Sequence, residues 1–500
     1  MVRKEEGRRK FPLMNGSRFY ITTSITYANA PPHIGFALEE VQADVIARSH
    51  RLKGDEVLFL TGTDEHGMKI VRAASSAGRT PEEFVDENAK RLMSLKAPLN
   101  LSWDDFIRTT DRSRHWPGAK LMWEKHTAAG DIYKKSYRGL YCVGHEAFVT
   151  QKDLVDGKCS DHGTEPETVE EENYFFRLSR YSEEIKKKIE NGELEIVPHT
   201  RKNEILSLIG KNGLEDVSFS RPAKDLSWGI PVPGDSSQTM YVWCDALANY
   251  LSAIGYGRNE EYKEWWPANV QVIGKDILRF HAAIWPGMLL SAGLPLPKKI
   301  FVHGFITVNG EKMSKTKGNV VDPAELAGKY GADAVRYYLL REISPTEDGD
   351  FSAAKFVERY NADLANGLGN FVSRVLTLGA GLGKIRGGLN PDSSIVEEVE
   401  MVKKTVQKKV SELKFNEALS AAWSLISFGD GYINESAPWN IENYEKREEV
   451  IFNLVVMVDN LAAMLRPFLP QTSEKIAGFI NWEAGDLKVK KPDVLFPRVK

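Results

Sequence analysis

The feature that most limits how this chain can fold lies between residues 18 and 60. An apolar, β-rich run at 18–28 precedes a helical stretch, Ala37–Leu52, in which Leu38, Val41, Val45 and Leu52 fall at helical spacing. A turn at Lys53-Gly54 then leads into Val57–Leu60, which is apolar at every position. A strand with no polar face must be covered on both sides, so strand–helix–strand with such a second strand predicts a parallel βαβ unit. A second strand–loop–helix pattern occurs at VQVIGKDILRFHAAIW, and a further strand at KKIFVHGFITV. Ligands of open parallel sheets bind beyond the carboxyl ends of the strands. The loops at 27–36, 61–68 and 274–281 are therefore expected to face one crevice.

These patterns organise the chain into an α/β, Rossmann-like doubly wound parallel sheet interrupted by a different kind of segment. Residues 1–114 form the first half of the sheet domain and 226–325 the second. Between them, 115–225 is rich in turns and short strands and carries a small Cys/His cluster. After a linking segment at 326–355, residues 356–500 read as helices with apolar residues three and four apart, several ending at Gly or Pro. This predicts an appended α-helical bundle.

Composition excludes several function classes. The net charge is −3, from 66 Lys and Arg against 69 Asp and Glu, so no global positive field draws the chain to nucleic acid. Any RNA must be held by local patches, such as His199–Lys202 or the group Lys488, Lys490 and Lys491; taken singly, such clusters are usually solvated faces. Three cysteines cannot make a disulfide framework and fit a reducing compartment. The first sixteen residues hold five Lys or Arg and two Glu with no apolar core, unlike a secretory signal. The longest apolar stretch is broken by prolines and too short to span a bilayer. A cytoplasmic globular protein is expected.

Two short motifs carry phosphate chemistry. In APPHIGFALEE a His and a Gly stand where a strand ends and a helix begins. A helix N-terminus offers unpaired N–H groups and partial positive charge, Gly admits close approach, and His33 can donate to a phosphoryl oxygen. Alone, PPHIG is a common turn. About 280 residues on, GEKMSKTKGN places Lys312, Lys315 and Lys317 among Ser314 and Thr316, bracketed by glycines. Such a loop suits a triphosphate whose charge shifts toward pyrophosphate. In the 115–225 segment, Cys142-x₂-His145 and Cys159-x₂-His162 are separated by thirteen residues. Two such pairs can supply four tetrahedral ligands to a structural Zn²⁺.

HIGF followed by KMSKT resembles the paired HIGH and KMSKS signatures of class I aminoacyl-tRNA synthetases. TYANAPPHIG, TGTDEHG, YVWCDALANY, IGKDILRFH and HGFITVNGEKMSKTKGN are similar, in order, to segments of the methionyl-tRNA synthetase family. The resemblance runs from about residue 18 into the helical tail. It implies activation of methionine by Mg-ATP to methionyl adenylate, with release of pyrophosphate, then transfer to tRNA(Met), initiator included. By motif match, His33, Lys312 and Lys315 are catalytic. Gly35, Gly274, Asp276, His303, Ser314 and Lys315 bind ATP. Ile25, Tyr27, Asp64, Trp243, Ala246, Leu247, Tyr250, Phe280 and His281 form the methionine site, where a thioether packs against aromatic rings. Leu247 and Phe36 depart from the family pattern, and Phe36 lacks the donor of the usual final His.

The resemblance also implies a zinc knuckle at Cys142, His145, Cys159 and His162, usually richer in cysteine, and an anticodon-binding tail with Asn370, Arg374 and Trp439. A monomer is expected. Two other readings stay open on sequence: an adenylyltransferase that needs no RNA, which leaves the long helical tail unexplained, and an RNA-binding paralogue that has lost activation through Phe36.

Overall fold

The computed structural model describes residues 16–145, 147–149, 153–161, 163–210, 212–313, 318–483 and 486–499. A wholly parallel sheet forms its centre, built from β1 (Arg18–Thr23), β2 (Thr26–Tyr27), β3 (Glu56–Asp64), β4 (Asp105–Arg108), β5 (Glu195–Val197), β6 (Val270–Gly274) and β7 (Lys299–His303). Its order is β5-β7-β6-β1-β3, with β2 and β4 also paired to β3. From β1 the chain goes one way to β3 and β4, and later the other way to β6 and β7. The winding therefore reverses between β1 and β6, and the crevice opens at their carboxyl ends.

Strand residues alternate between two apolar layers, which is why the strands read as unbroken hydrophobic runs. Phe19, Ile21, Phe59, Val270, Val272 and Phe301 enter one core, shared with helix α1 (Ile34–Leu52) and with the helical tail. Tyr20, Leu60, Ile107, Ile273, Ile300 and Val302 enter the other. The helix begins three residues before the expected Ala37, because His33 is extended and its ring Nδ1 accepts from the Gly35 amide, capping the first turn.

The stretch 115–225 is not of one piece. Helix α2 (Trp116–Ala128) packs into the second core through Ala119, Met122 and Trp123, and β5 is an edge strand of the main sheet on β7. Three residues are too few to show a period, so this strand was not legible in sequence. The inserted antiparallel sheet uses Ile132–Cys142, Ala147–Val149, Glu167–Phe176 and Val217–Ser218. The linking segment likewise contributes a strand, Gly349–Phe351, which pairs with Ile306–Val308.

The tail is a bundle of α3 (Asn370–Gly381), α4 (Ser393–Ser411), α5 (Phe415–Ser436) and α6 (Tyr444–Leu465). Ile395, Val399, Val402, Val406 and Val410 form the buried stripe of α4. Within this helical region a hairpin, Ile480–Glu483 with Asp486–Val489, closes the end of the bundle. Its Val489 packs on Gly379 of α3, where an added Cβ would lie 3.1 Å from the valine methyls.

Bundle and sheet domain are joined by a buried charge. Arg336, in helix Ala332–Arg341, is fully buried and meets Asp44 of α1 at 2.8 Å. Its remaining N–H groups reach the carbonyls of Leu99, Pro467 and Phe468. Replacing Arg336 with Met leaves Asp44 buried without this partner. R336M is expected to lose about 3–5 kcal/mol of stability, read as a lower urea midpoint; an unchanged midpoint contradicts this role.

Candidate active site

The loops beyond β1, β3, β6 and β7 converge as expected. Gly35 sits against His33 and the 310s loop: a Cβ there would lie 3.0 Å from the His33 ring and 3.6 Å from the Met313 methyl. Because His33 Nδ1 accepts from Gly35, the neutral ring carries its proton on Nε2, and burial lowers its pKa. This helix mouth thus presents the His33 Nε2–H beside first-turn amides. Phe36 packs, half-buried, against the core on the α1 face of the sheet. Its ring serves packing, and the donors present at this mouth are the His33 Nε2–H and the first-turn amides.

His303 closes β7 and sits between two acceptors, the Gly304 carbonyl at 2.7 Å and Glu39 Oε2 at 2.8 Å. Neither acceptor can donate, so both ring nitrogens carry protons. Burial pulls the imidazole pKa down, but the Glu39 carboxylate outweighs it and leaves it raised. Glu39 Oε1 also accepts from the Ser24 amide and hydroxyl at 2.6 Å, tying α1 to the end of β1. A Cβ on Gly274 would lie 2.8 Å from Asp276 Oδ1 and 3.8 Å from the His303 ring. Gly274, Asp276 and His303 therefore form one cluster.

The methionine-site candidates form an aromatic wall. Trp243 stacks on Phe280 with centroids 3.7 Å apart, and His281 meets Trp243 edge-on. The Tyr250 hydroxyl is 2.7 Å from His281 Nε2, and His281 Nδ1 is 3.0 Å from the Ile277 carbonyl. A carbonyl only accepts, so Nδ1 holds the proton and the tyrosine donates to Nε2. Burial pushes the His281 pKa down to about 4, and burial first raises the Tyr250 phenol. Both are neutral at pH 7 and give one polar edge to an otherwise apolar wall. Asp64 ends β3 in register with Tyr27, and the Tyr27 hydroxyl donates to the His66 carbonyl at 2.8 Å. Ile25 lies over Gly62, where a Cβ would be 2.9 Å from its methyl. Ala246 and Leu247 are buried within and just after helix Val242–Ala246, with Leu247 in the core.

Behind this wall lies a set that the sequence did not single out. Asp245 takes His66 Nδ1 on one oxygen and His115 Nε2 on the other, each at 2.6 Å. Burial works to raise this carboxyl, but the two imidazoles hold it down at about 2. The signal available was the neighbourhood alone: Asp245 lies inside YVWCDALANY and His66 inside TGTDEHG.

At the insert, Cys142, His145 and Cys159 bring donor atoms within 4.8 Å of one another. Soft sulfur with imidazole fits zinc. His162 lies outside the described residues, as do Ser314 and Lys315. Lys312 is described, and its ammonium donates to the Asp161 carbonyl at 3.3 Å. In the bundle, Asn370 is exposed at the start of α3, and Arg374 is held on α5 by Asp430 at 2.9 Å. Trp439, in the turn after α5, is 56% exposed, an unusual setting for an indole.

Two imidazoles give a pH signature. Burial takes His281 from an ordinary 6.5 to about 4 and His126 to about 3. Below 6.5 the unfolded chain binds protons that the folded chain refuses, so stability falls as pH drops from about 6.5 toward 4 and returns on raising it. Thermal midpoints should show this slope, and H126Q should reduce it; a flat midpoint in both proteins rules it out.

The family model described as tRNA synthetases class I (M) matches residues 19–161 and 149–376, and that described as anticodon-binding domain of tRNA ligase matches 392–491. A methionine–tRNA ligase from Clostridium perfringens is 45% identical across 96% of this chain and 78% of its own. One from Brucella melitensis is 42% identical across 93% of this chain and 92% of its own. A crystal structure of Mycobacterium tuberculosis methionyl-tRNA synthetase bound by methionyl-adenylate is 36% identical. It aligns with a TM-score of 0.91 over 96% of this chain and 100% of that one. With its reversing parallel sheet, its aromatic wall and its helical tail, the chain belongs to the methionyl-tRNA synthetases of class I.

Proposed function

We propose that this chain activates methionine with ATP in the crevice between β1 and β6, and that the residues assembled there divide the work. The chain is a methionine–tRNA ligase by family. The observation that supports the residue assignment is the neutral Tyr250–His281 pair set in the Trp243–Phe280 wall. A polarisable thioether packs on such rings more favourably than the branched methyls of leucine, and the pair keeps the wall neutral because its two protons go to His281 Nε2 and the Ile277 carbonyl. Asp64 faces the substrate ammonium, while Ile25, Tyr27, Ala246 and Leu247 shape the rest of the pocket.

The methionine carboxylate, already ionised, attacks the α-phosphorus of Mg-ATP, and pyrophosphate leaves. No base is required, so rate comes from positioning and from charge stabilisation. His33 donates from Nε2 to a phosphoryl oxygen, next to the amides of α1 that Gly35 leaves accessible. Lys312 and Lys315 meet the departing charge, with Ser314 organising their loop. Gly274, Asp276 and the doubly protonated His303 hold the nucleoside. The adenylate then loses AMP as the acyl group passes to the terminal ribose of tRNA(Met).

Asn370, Arg374 and Trp439 are assigned to the anticodon, Trp439 by stacking and the other two by reading base edges. Zinc is assigned to Cys142, His145, Cys159 and His162, where it holds two turns of the insert together. Residues 1–114 and 226–325 act in activation together with helix Trp116–Ala128 and β5, which share their core and sheet, the antiparallel sheet between Ile132 and Ser218 is the connective insert, and 356–500 act on the anticodon. No helix among the described residues is long and apolar enough to cross a membrane. A monomer in the cytoplasm completes the proposal, and light scattering tests its oligomeric part.

ATP–pyrophosphate exchange with each of the twenty amino acids is the direct test. Exchange with methionine alone is expected; folded protein that binds tRNA yet exchanges with none would establish an inactive paralogue. Y250F is expected to raise the KM for methionine about 3–10-fold, and H33A to lower kcat about 10²–10³-fold. W439A and R374A are each expected to weaken tRNA binding about tenfold or more while leaving exchange intact. Loss of exchange in W439A contradicts the division between the two domains.

A further inference from the structure

The Cys/His turns contain one more functional group. His145 directs Nδ1 toward Cys159 Sγ at 3.5 Å, and its other nitrogen, Nε2, lies 2.9 Å from Asp161 Oδ2. A carboxylate only accepts, so the proton of the neutral ring sits on Nε2. That leaves the Nδ1 lone pair facing Cys142 and Cys159, which is the tautomer a metal ligand needs. A cysteine at position 145 would have no tautomer to set. The acid therefore answers a requirement created by the histidine.

The same turns rest directly on the active site. The Asp161 carbonyl receives the Lys312 ammonium at 3.3 Å. The His145 carbonyl receives the Trp243 indole N–H at 3.4 Å, and the Gly144 carbonyl receives Lys69 at 3.5 Å. Lys69 lies over the Tyr27 ring, 5.3 Å from its centroid. Three backbone carbonyls of the turns thus bear on the methionine wall and the phosphate loop.

We propose that Asp161 is a positioning residue of this chain. Its carboxylate sets the His145 tautomer for the metal, and through the turns it helps hold Trp243 and Lys312 in place. The inference rests on the zinc assignment above. Asp161 is largely exposed, its side chain 66% accessible, so its replacement is compatible with folding.

The test compares wild type, D161A and D161N by zinc-chelator competition and by the visible spectrum of the cobalt(II)-substituted protein. D161A is expected to bind zinc about 10–100-fold more weakly. D161N keeps an oxygen that accepts from Nε2–H, so it should lose less than about tenfold. Calorimetric binding of methionine should weaken when wild type is stripped of metal, and D161A at saturating zinc should regain wild-type affinity. D161A that binds zinc like wild type, or D161N as weak as D161A, overturns the positioning role. Stripped wild type that binds methionine unchanged overturns the link to the pocket. Wild type that takes up no zinc overturns the metal assignment itself, a failure distinct from the other two.

Discussion

The buried guanidinium of Arg336 is the interaction on which the arrangement of the two domains depends. It satisfies Asp44 of α1 and three carbonyls drawn from the sheet domain and from the end of the bundle. A bare charge there would carry a large desolvation penalty, so each partner has to be in place for the others to be tolerated. Helix α1 is thereby clamped along its length. Its N-terminal end carries His33 and Glu39, its middle carries Asp44, and the clamp ties the His33 end of the crevice to the helical domain.

The pocket follows a second rule, that polar groups in an apolar wall must be paired and neutral. Tyr250 and His281 satisfy one another, and the Ile277 carbonyl selects the tautomer. Elsewhere charges are kept where they have partners: His303 as a cation between Glu39 and a carbonyl, Asp245 as an anion between two imidazoles. Glu40 shows the alternative. Burial pushes its carboxyl up to about 8, so it is neutral at pH 7, with Thr23 and Thr61 donating to Oε1. Its neighbour Glu39 meets the His303 imidazole instead of hydroxyls alone.

The outcome at Phe36 illustrates how a departure from a motif is read. In sequence it is a missing donor. In the structure the His33 ring caps the helix through Nδ1 and carries its proton on Nε2 beside the first-turn amides, while the phenyl ring of Phe36 contributes to the core under α1. The first and third positions of the motif form the capped helix mouth, and the fourth serves packing.

What the sequence alone determined was periodic or locally encoded. Continuous apolar strands pointed to a parallel sheet, the spacing of Val399, Val402, Val406 and Val410 made α4 amphipathic, and His33, Gly35, the lysine loop and the Cys/His pairs were legible as residue types suited to phosphate and to metal. Elements too short to show a period were beyond its reach: β5, the strand at Gly349–Phe351 and the strand pair Ile480–Glu483 and Asp486–Val489. So were partners far apart in the chain. Asp245 with His66 and His115, Glu39 with His303, Arg336 with Asp44, and the carbonyls of the insert against Trp243 and Lys312 are all long-range pairings. Residue type states what a side chain can donate or accept; only the tertiary fold decides which distant group it meets, and so its tautomer and charge.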